Sequence, residues 1–437
     1  MDTFESIAKM ADDLQEKMVA CRRDFHKHAE TGWLEMRTSS IIARKLTEMG
    51  YEVLVGEQVC KKEARMGVPD EETLEMAYNR AIEQGADPEF VKAAKGGMTG
   101  VIGILRCGEG PTVAMRFDID ALGVFECDEE RHLPAREGFA SMNYGSMHAC
   151  GHDGHATIGL GVAEVLMAIK DQLHGTIKLI FQPAEEGVRG AKSIVENGHL
   201  DGVDYFIGSH NATVKAGSDA NMYGGSLHSL ATCKYDVVFH GKAAHAGANM
   251  ENGANAIIAA STAVLNLYAI SRHSGGATRI NVGTFHGGSG RNVVADEAKL
   301  EIELRGDTTR INDYMCERAM QILKGAAAMQ GCTCDITLMG AAPSLHSDED
   351  FAHYINDVCR DKMGMIPHRE LQSGGGSEDV SYMMNRVQEQ GGKASFMRNC
   401  IPFAAPGHRR DYDFDEKALA QGVKMFTGVV YDLLRQK

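Results

Sequence analysis

Apolar runs of strand length that alternate with helix-like segments are the feature that most restricts the fold of this chain. Four such runs are VIGILRC, PTVAMRFD, TIKLIFQ and YFIGSH, and helix-like segments follow His152 and Val188. This alternation is typical of an α/β sheet. In such sheets, ligands bind beyond the carboxyl ends of the strands. Polar residues that directly follow an apolar run are therefore the first candidates for a functional site.

The 437 residues are too many for one ordinary domain and predict two. Apolar positions recur at helical spacing from residue 4 to about 49, and Gly50 is placed to end the second helix of this stretch. The strand YEVLV follows. The charged stretch from about 56 to 97 has helical periodicity, and we interpret it as a helical insertion between two strands.

Residues from about 229 to 340 follow a different order: strand, long Ala-rich helix, strand, strand, helix, strand. That order predicts a compact α+β unit with helices on one face of an antiparallel sheet. From about 341 the chain returns to helices and strands, and it closes with a helix from Phe414 onward. We therefore expect a discontinuous α/β domain of residues 1–228 and 341–437, interrupted by an α+β domain of residues 229–340.

Composition and charge restrict the partners. Apolar residues make up 43% of the chain and charged residues 24%, which predicts a globular protein without membrane-spanning runs. The net charge of -15 disfavours nucleic acid and anionic membranes as partners. The N-terminus lacks the apolar core of a secretory signal, and the eleven cysteines include no CxxC pair. These features predict a soluble, cytoplasmic protein with reduced thiols.

The segment MHACGHDGHA at 147–156 is the strongest chemical signal, because it places three His, one Cys and one Asp within ten residues at the start of a helix. A lone His or Cys is usually a packing residue. Here, however, Cys150 and His152 point to the same side of an extended segment, and thiolate and imidazole are both good ligands for zinc or a similar divalent ion. We therefore predict that this pair binds a metal.

A second signal is QPAEEG, directly after the apolar strand TIKLIF. Adjacent carboxylates usually lie on a solvated surface. At the end of a buried strand they are costly unless a cation compensates their charge. Adjacent carboxylates can also divide two tasks, since one can bind a cation while the other accepts a proton from water. We therefore assign Glu185 and Glu186 to the same site.

Three weaker signals follow other apolar runs. His210 ends YFIGSH and His408 lies in APGHRRDYDFDE, and each alone is more typical of a structural residue. Asp118 and Asp120 in MRFDIDALG face one side at period two. Helix capping or a turn is the simpler explanation for these aspartates. They could also bind a metal or orient a metal-bound imidazole, and for Asp120 we favour the orienting role.

Taken in chain order, RFDIDAL, MHACGHDGH, FQPAEEG, GKAAHAG, NVGTFHGGSGRNVV and GGSED resemble one branch of the di-metal peptidases, that of the aminoacylases, hippurate hydrolases and auxin-conjugate hydrolases. The resemblance covers nearly the whole chain. It implies a two-domain di-metal peptidase fold that holds two divalent metal ions, Mn²⁺ or Zn²⁺, and hydrolyses the amide bond of an acyl-amino acid. The metal ligands that it implies are Cys150, His152, Glu186, His210 and His408, with Glu185 as general base.

The resemblance also implies that residues 229–340 form a satellite domain that mediates dimerisation and contributes residues to the catalytic cleft. His245 in GKAAHAG matches the histidine that stabilises the tetrahedral oxyanion, a role suited to a preorganised donor. Asn281, Arg291 and Arg305 are candidates for binding the substrate, since an arginine can bind both oxygens of a carboxylate. Asn281 and Arg291 are expected on a strand pair, and Arg305 after another strand.

Several alternatives stay open at the level of sequence. The chain could be a broad aminoacylase or hippurate-type hydrolase, or a non-catalytic partner subunit. The presence of all five implied ligands and of Glu185 argues against a degenerate copy. The assembly could be a homodimer or a heterodimer with a related subunit. Zinc-finger and redox functions fit poorly, because the cysteines are neither paired nor regularly spaced.

Overall fold

The computed structural model describes residues 2–215, 217–374 and 376–436. Its α-helices are α1 Thr3–Asp13, α2 Gln15–Lys27, α3 Met36–Met49, α4 Glu71–Glu83, α5 Leu133–Glu137, α6 His152–Ala168, α7 Ala191–Val195, α8 Ala256–Tyr268, α9 Thr309–Met329, α10 Glu349–Met363, α11 Val380–Glu389 and α12 Ala418–Leu434. Its strands are β1 Glu52–Val55, β2 Val101–Arg106, β3 Thr112–Asp118, β4 Thr176–Gln182, β5 Tyr205–Thr213, β6 Met222–Tyr223, β7 Ser226–His228, β8 Ala231–His240, β9 Thr278–Gly287, β10 Glu297–Gly306, β11 Thr333–Ala342, β12 Gln372–Ser373 and β13 Lys393–Ile401.

The chain divides into two compact units. The first comprises Met1–His228, His346–Gly374 and Asp379–Lys437, and the second comprises Ser229–Leu345 and Gly375–Glu378. The second unit extends past residue 340, the boundary expected from the sequence, because β11 continues to Ala342 and stays paired with β8 over those residues.

A seven-stranded mixed sheet forms the centre of the first unit, in the order β1-β2-β4-β3-β5-β13-β6. The four strands β4, β3, β5 and β13 run parallel, and β1, β2 and β6 are joined to them by antiparallel pairs. The parallel strands are largely buried, as expected for strands covered by helices on both faces. Their carboxyl ends meet at one edge of the sheet, where the candidate residues are carried.

Helix α6 packs closely on this sheet. Nearly all of its residues are buried, from His152 at its start to Leu166 near its end. At Gly159 an added Cβ would lie 2.7 Å from the Phe181 ring and 2.8 Å from the Phe117 ring, so only glycine allows this approach. The close packing fixes the first turn of α6 relative to the ends of β3 and β4.

The N-terminal stretch forms three helices rather than the two expected. The break between α2 and α3 contains Trp33, whose φ of 70° is incompatible with helix continuation. Gly50 does end a helix, but it is α3, and its φ of 92° places it in the left-handed region. In the insertion, α4 is preceded by two short 3₁₀ turns at Gly56–Gln58 and Lys62–Ala64. Its apolar residues pack with Met36 into a small separate cluster.

The second unit has the predicted α+β order. Its antiparallel sheet has the strand order β11-β8-β10-β9, and α8 and α9 share a buried core with it. Burial alternates along β10, so one face of the sheet packs against the helices.

The last helix begins later than predicted, at Ala418 rather than near Phe414, because Phe414 pairs with Phe403 in an isolated bridge. Within the described part of the chain, no helix has both the length and the apolar character needed to cross a bilayer.

Candidate active site

The five predicted metal ligands all lie in the first unit and come from separate parts of the chain. Cys150 precedes α6 and His152 is its first residue, while Glu186 follows β4 and His408 follows β13. His210 lies inside β5 rather than after it, because the strand continues to Thr213 in parallel pairing with β13. Glu186, His210 and His408 lie near or after the carboxyl ends of parallel strands, which brings these side chains to one edge of the sheet.

The ligand atoms of these residues form two groups that share Cys150. One group is Cys150, His152 and His210, and the other is Cys150, Glu186 and His408; within each, the atoms lie within 4.8 Å of one another. Cys150 Sγ is 3.4 Å from His210 Nε2, and Glu186 Oε1 is 3.8 Å from His408 Nε2. A further group joins His152 to Glu185 and Glu186. Each group has ligand atoms suited to one cation, and the two groups share the Cys150 thiol.

His152 shows that these residues fit a metal. Its Nδ1 lies 2.9 Å from the Asp120 carbonyl oxygen and 3.3 Å from Asp120 Oδ1, so Nδ1 carries a proton, and in the neutral ring Nε2 is left as an acceptor. Nε2 is buried and makes no hydrogen bond to any residue that the structure describes. A buried nitrogen with a lone pair, next to a thiol and carboxylates, is a chemically suitable ligand for a divalent cation.

The electrostatics of the site favour bound positive charge. Burial lowers the pKa of His152, but the carboxylates of Asp118 and Asp120 more than offset this and hold it well above its usual value. Burial raises the pKa of the Cys150 thiol to about 12, and the nearby Glu185 and Glu186 add to the rise. A divalent cation would compensate these carboxylates and favour the thiolate.

Asp120 links the histidine to the pair of glutamates. Besides contacting His152, its Oδ1 accepts the backbone N–H of Glu185 at 3.0 Å and its Oδ2 accepts that of Glu186 at 2.9 Å. Glu185 is buried, and the Glu186 side chain is 12% exposed. One carboxylate therefore orients the imidazole and both glutamates at once.

Asp118 and His155 meet in the same region but are occupied by each other. His155 Nδ1 lies 2.6 Å from Asp118 Oδ1, and His155 Nε2 accepts the backbone N–H of Asn211 at 3.1 Å. Both ring nitrogens are therefore engaged, which leaves neither for a metal. The His155 ring stacks on His152 and packs edge-on against His210, so it supports both of these side chains.

Arg22 is a structural residue of the site that the sequence patterns did not single out. It is completely buried, and its Nε is 2.8 Å from Asp153 Oδ2 while its Nη2 is 2.6 Å from Asp413 Oδ1. It thus ties the residue after His152 to the segment that follows His408. The run of charges in RRDFHKHAETGW, inside a helical apolar pattern, was the available signal for such a buried ion network.

His245 lies in the second unit, in the segment after β8, and is exposed. Its backbone N–H donates to Asn249 Oδ1, and its Nδ1 accepts the N–H of Gly247 at 3.1 Å. Because Nδ1 is an acceptor, a neutral ring carries its proton on Nε2, which is then a hydrogen-bond donor.

The three candidate substrate-binding residues also belong to the second unit. Asn281 is an exposed residue of β9, as expected. Arg291 lies in the loop between β9 and β10 instead of on a strand, and Arg305 lies within β10, which runs to Gly306. Arg305 is 2.9 Å from Glu303 Oε1, whereas no ion pair of Arg291 is found among the described residues.

A family model described as peptidase family M20/M25/M40 matches residues 114–432, which include every predicted metal ligand. The chain belongs to this family. The match confirms the predicted fold class, a two-domain di-metal peptidase fold, and the expectation that the chain is an enzyme hydrolysing an amide bond.

Two similar proteins extend over almost the whole chain. The indole-3-acetyl-aspartic acid hydrolase of Enterobacter agglomerans is 46% identical over 415 residues, which are 93% of this chain and 94% of that protein. One subunit of the p-aminobenzoyl-glutamate hydrolase of Escherichia coli strain K12 is 45% identical over 424 residues, which are 96% of this chain and 97% of that protein. The segments RRDFHKHAETGW, RMGVPDE, HGTIKLIFQPAEEG and GRNVV predict similarity to the latter protein, and this is confirmed.

Solved structures of the M20 family agree. The crystal structure of an aminobenzoyl-glutamate utilization protein from Klebsiella pneumoniae has a TM-score of 0.83 and 40% identity, and the match covers 97% of each chain. The Bacillus subtilis YXEP protein, described as a dinuclear metal binding peptidase of the M20 family, has a TM-score of 0.64 and 25% identity, with 97% of this chain and 99% of that chain covered.

Proposed function

We propose that this protein catalyses the metal-dependent hydrolysis of p-aminobenzoyl-glutamate to p-aminobenzoate and glutamate. The observation that carries the proposal is the pair of ligand groups that share Cys150, directly beside the buried Glu185. The similarity to a p-aminobenzoyl-glutamate hydrolase over almost the whole chain supports the substrate.

Cys150, His152 and His210 would hold one divalent cation, and Cys150, Glu186 and His408 a second. When bound, the two ions, manganese or zinc, polarise the scissile carbonyl and acidify water. The other steps fall to the protein. Glu185 accepts the proton of the attacking water and passes it to the leaving nitrogen of glutamate. Asp120 acts as a positioning residue, because it fixes the His152 tautomer and holds the amides of both glutamates.

The second unit would act as the dimerisation domain of a homodimer, or of a heterodimer with a related subunit. Helix α8 exposes Ile258, Leu265 and Tyr268, which supports burial of this surface against another chain. The name of the Escherichia coli relative, which describes one subunit of a hydrolase, also supports an assembly of more than one chain. His245 would donate from Nε2 to the tetrahedral oxyanion, since its Nδ1 already accepts a hydrogen bond.

Arg291 is the arginine that we assign to a substrate carboxylate. Arg305 is already paired with Glu303, so binding a substrate would require it to exchange one carboxylate for another. Asn281, which is exposed on the neighbouring strand β9, would complete the recognition as a neutral donor.

The proposed location is the cytoplasm. All eleven cysteines are free thiols, as expected in a reducing compartment.

A second candidate substrate is indole-3-acetyl-aspartate, because a hydrolase of that compound has 46% identity to this chain. Both compounds join an aromatic acyl group to an acidic amino acid. A broad aminoacylase or hippurate-type activity would instead accept neutral amino acids.

Turnover by the manganese- or zinc-loaded protein should be compared on p-aminobenzoyl-glutamate, indole-3-acetyl-aspartate, hippurate and an N-acetyl amino acid, with release of the free amino acid as the readout. Glu185→Ala is the control for contaminating activity. The expected result is that the parent protein hydrolyses p-aminobenzoyl-glutamate fastest and that Glu185→Ala does not hydrolyse it. Equal rates on hippurate would contradict the assigned substrate. No turnover on any compound despite bound metal would favour a non-catalytic subunit.

A further inference from the structure

The loop that carries Glu185 and Glu186 has an unusually strained backbone. Ala184 has a φ of 49° and Val188 a φ of 61°, and left-handed conformations are rare for alanine and rarer for a β-branched residue. The loop also closes tightly on itself, since a Cβ at Gly190 would lie 1.8 Å from the Pro183 carbonyl oxygen. Such strain persists only where the surroundings fix the backbone.

Three buried carboxylates provide that restraint by accepting the amide hydrogens of the loop. Glu35 Oε1 accepts the N–H of Ala184 at 2.8 Å. Asp120 accepts the next two, those of Glu185 and Glu186. Asp379 Oδ2 accepts the two at the far end, those of Gly190 at 3.0 Å and Ala191 at 2.9 Å. These carboxylates come from three separate parts of the sequence.

Glu35 lies in an environment that is unfavourable for a carboxylate. Its side chain is completely buried, and its other oxygen, Oε2, accepts the hydroxyl of Thr99 at 2.7 Å. Burial and the nearby charge of Asp120 raise the pKa of Glu35 to about 8. Its hydrogen bonds can form in either state, because a protonated Oε2 can donate to the Thr99 hydroxyl while Oε1 still accepts from Ala184.

Asp379 is held from the opposite side. Its Oδ1 accepts from Gln182 Nε2 at 2.8 Å and lies 3.4 Å from Arg116 Nη2, while Oδ2 faces the loop. Both oxygens are thus used as acceptors. Gln182 is the last residue of β4, so Asp379 also ties the loop to the end of that strand.

We propose that Glu35 and Asp379 are positioning residues for the hydrolytic reaction: by binding the two ends of the strained loop, they keep Glu185 and Glu186 aimed at the cation positions. The inference rests on the proposed function of these two glutamates. Neither positioning residue contacts the reacting atoms. Loss of either allows the loop to relax toward an ordinary backbone conformation, which turns the glutamates away from the metals.

The test compares Glu35→Ala, Glu35→Gln and Asp379→Asn in the full-length protein. Glutamine keeps an acceptor for Ala184 and a partner for Thr99, so it should recover most of what alanine loses. Asp379→Asn leaves only one acceptor oxygen at this position, so it should weaken the restraint on the loop. Glu30→Ala is the matched control, because Glu30 is equally buried but accepts the N–H groups of Arg37 and Thr38 at the start of α3.

Three quantities would be measured: hydrogen–deuterium exchange of residues 184–191 in the metal-free protein, Mn²⁺ affinity, and kcat and KM on p-aminobenzoyl-glutamate. In Glu35→Ala and Asp379→Asn, exchange should rise at least about tenfold, and Mn²⁺ affinity and kcat should fall about 10- to 100-fold with little change in KM. In Glu30→Ala the exchange of residues 184–191, the Mn²⁺ affinity and kcat should stay near those of the parent protein, even if this variant is less thermally stable.

Exchange of residues 184–191 in Glu35→Ala no faster than in Glu30→Ala would overturn the inference. So would a kcat that falls only in proportion to the unfolded fraction. If the parent protein hydrolyses none of the substrates but exchange and Mn²⁺ affinity respond as expected, the proposed function fails and the positioning role stands. If hydrolysis is observed without an effect on the loop, only the positioning role fails.

Discussion

Replacement of Arg22 by methionine should destabilise the first unit far more than an ordinary surface change. The side chain is fully buried and lies within 2.8 Å of Asp153 and 2.6 Å of Asp413. Methionine fills much of the same volume but, among the described residues, leaves Asp413 without its cation and Asp153 with His26 as its only cation. Removing one partner of a buried ion pair costs about 3–5 kcal/mol. At about 1.5 °C per kcal/mol for a unit of this size, the melting temperature should fall by roughly 4–8 °C.

The assay is differential scanning calorimetry in the presence of a chelator, so that metal binding does not shift the transition. Arg23→Met is the matched control, because Arg23 lies on the same helix and pairs with Glu416 and Glu137 but is 29% exposed. It should cost no more than about 1 kcal/mol. Adding Asp413→Asn to Arg22→Met should recover part of the loss, because it removes the carboxylate that has lost its cation. Equal losses for the two arginine variants would show that burial of the Arg22 ion pairs does not set the cost.

Three further results are expected. Glu185→Gln should lower kcat at least about 10²-fold while Mn²⁺ affinity is retained, since it removes only the proton acceptor; retained turnover would exclude Glu185 as the base. Burial lowers the pKa of His26, but hydrogen bonds to two carboxylates outweigh this and raise it to about 9. The protonated His26 therefore contributes to the free energy of unfolding, fully below the unfolded pKa of about 6.5. This contribution, about 3 kcal/mol, should be lost as the pH rises from about 6.5 through 9. In urea unfolding, the His26→Gln variant should not show this loss. Gly159→Ala should destabilise the protein by about 1–3 kcal/mol because its Cβ would clash with Phe117. Gly325 lies on an exposed face of α9 with nothing within 4 Å of an added Cβ, so Gly325→Ala should stabilise the protein by about 0.4–1 kcal/mol. The same denaturation assay tests both variants, and equal effects would contradict the packing argument.

The predicted architecture was most accurate where an apolar pattern had enough length. The runs that became β2, β3 and β4 were recognised because strands that are buried on both faces are continuously apolar, and the order of elements in the second unit followed from the same patterns. Three helices formed where two were expected, because the interruption at Leu14 between α1 and α2 is a single residue and leaves no mark in apolar spacing. The end of β5 was also missed, because Asn211 to Thr213 are polar or small but continue to pair with β13.

The chemical groups of the site are visible in the order of residues along the chain. Cys150 and His152 are two residues apart, and Glu185 and Glu186 are adjacent, so local spacing alone marks them as candidates for shared chemistry. Which distant residues join them, and how they are held, depends on how the chain folds. Glu35, Asp379 and Arg22 look like ordinary charged residues in the chain, because burial and hydrogen-bond partners depend on contacts between segments far apart in sequence. Burying a charged side chain is unfavourable unless it is paired or hydrogen-bonded, so the partners of these three residues in the folded chain show that they support the site.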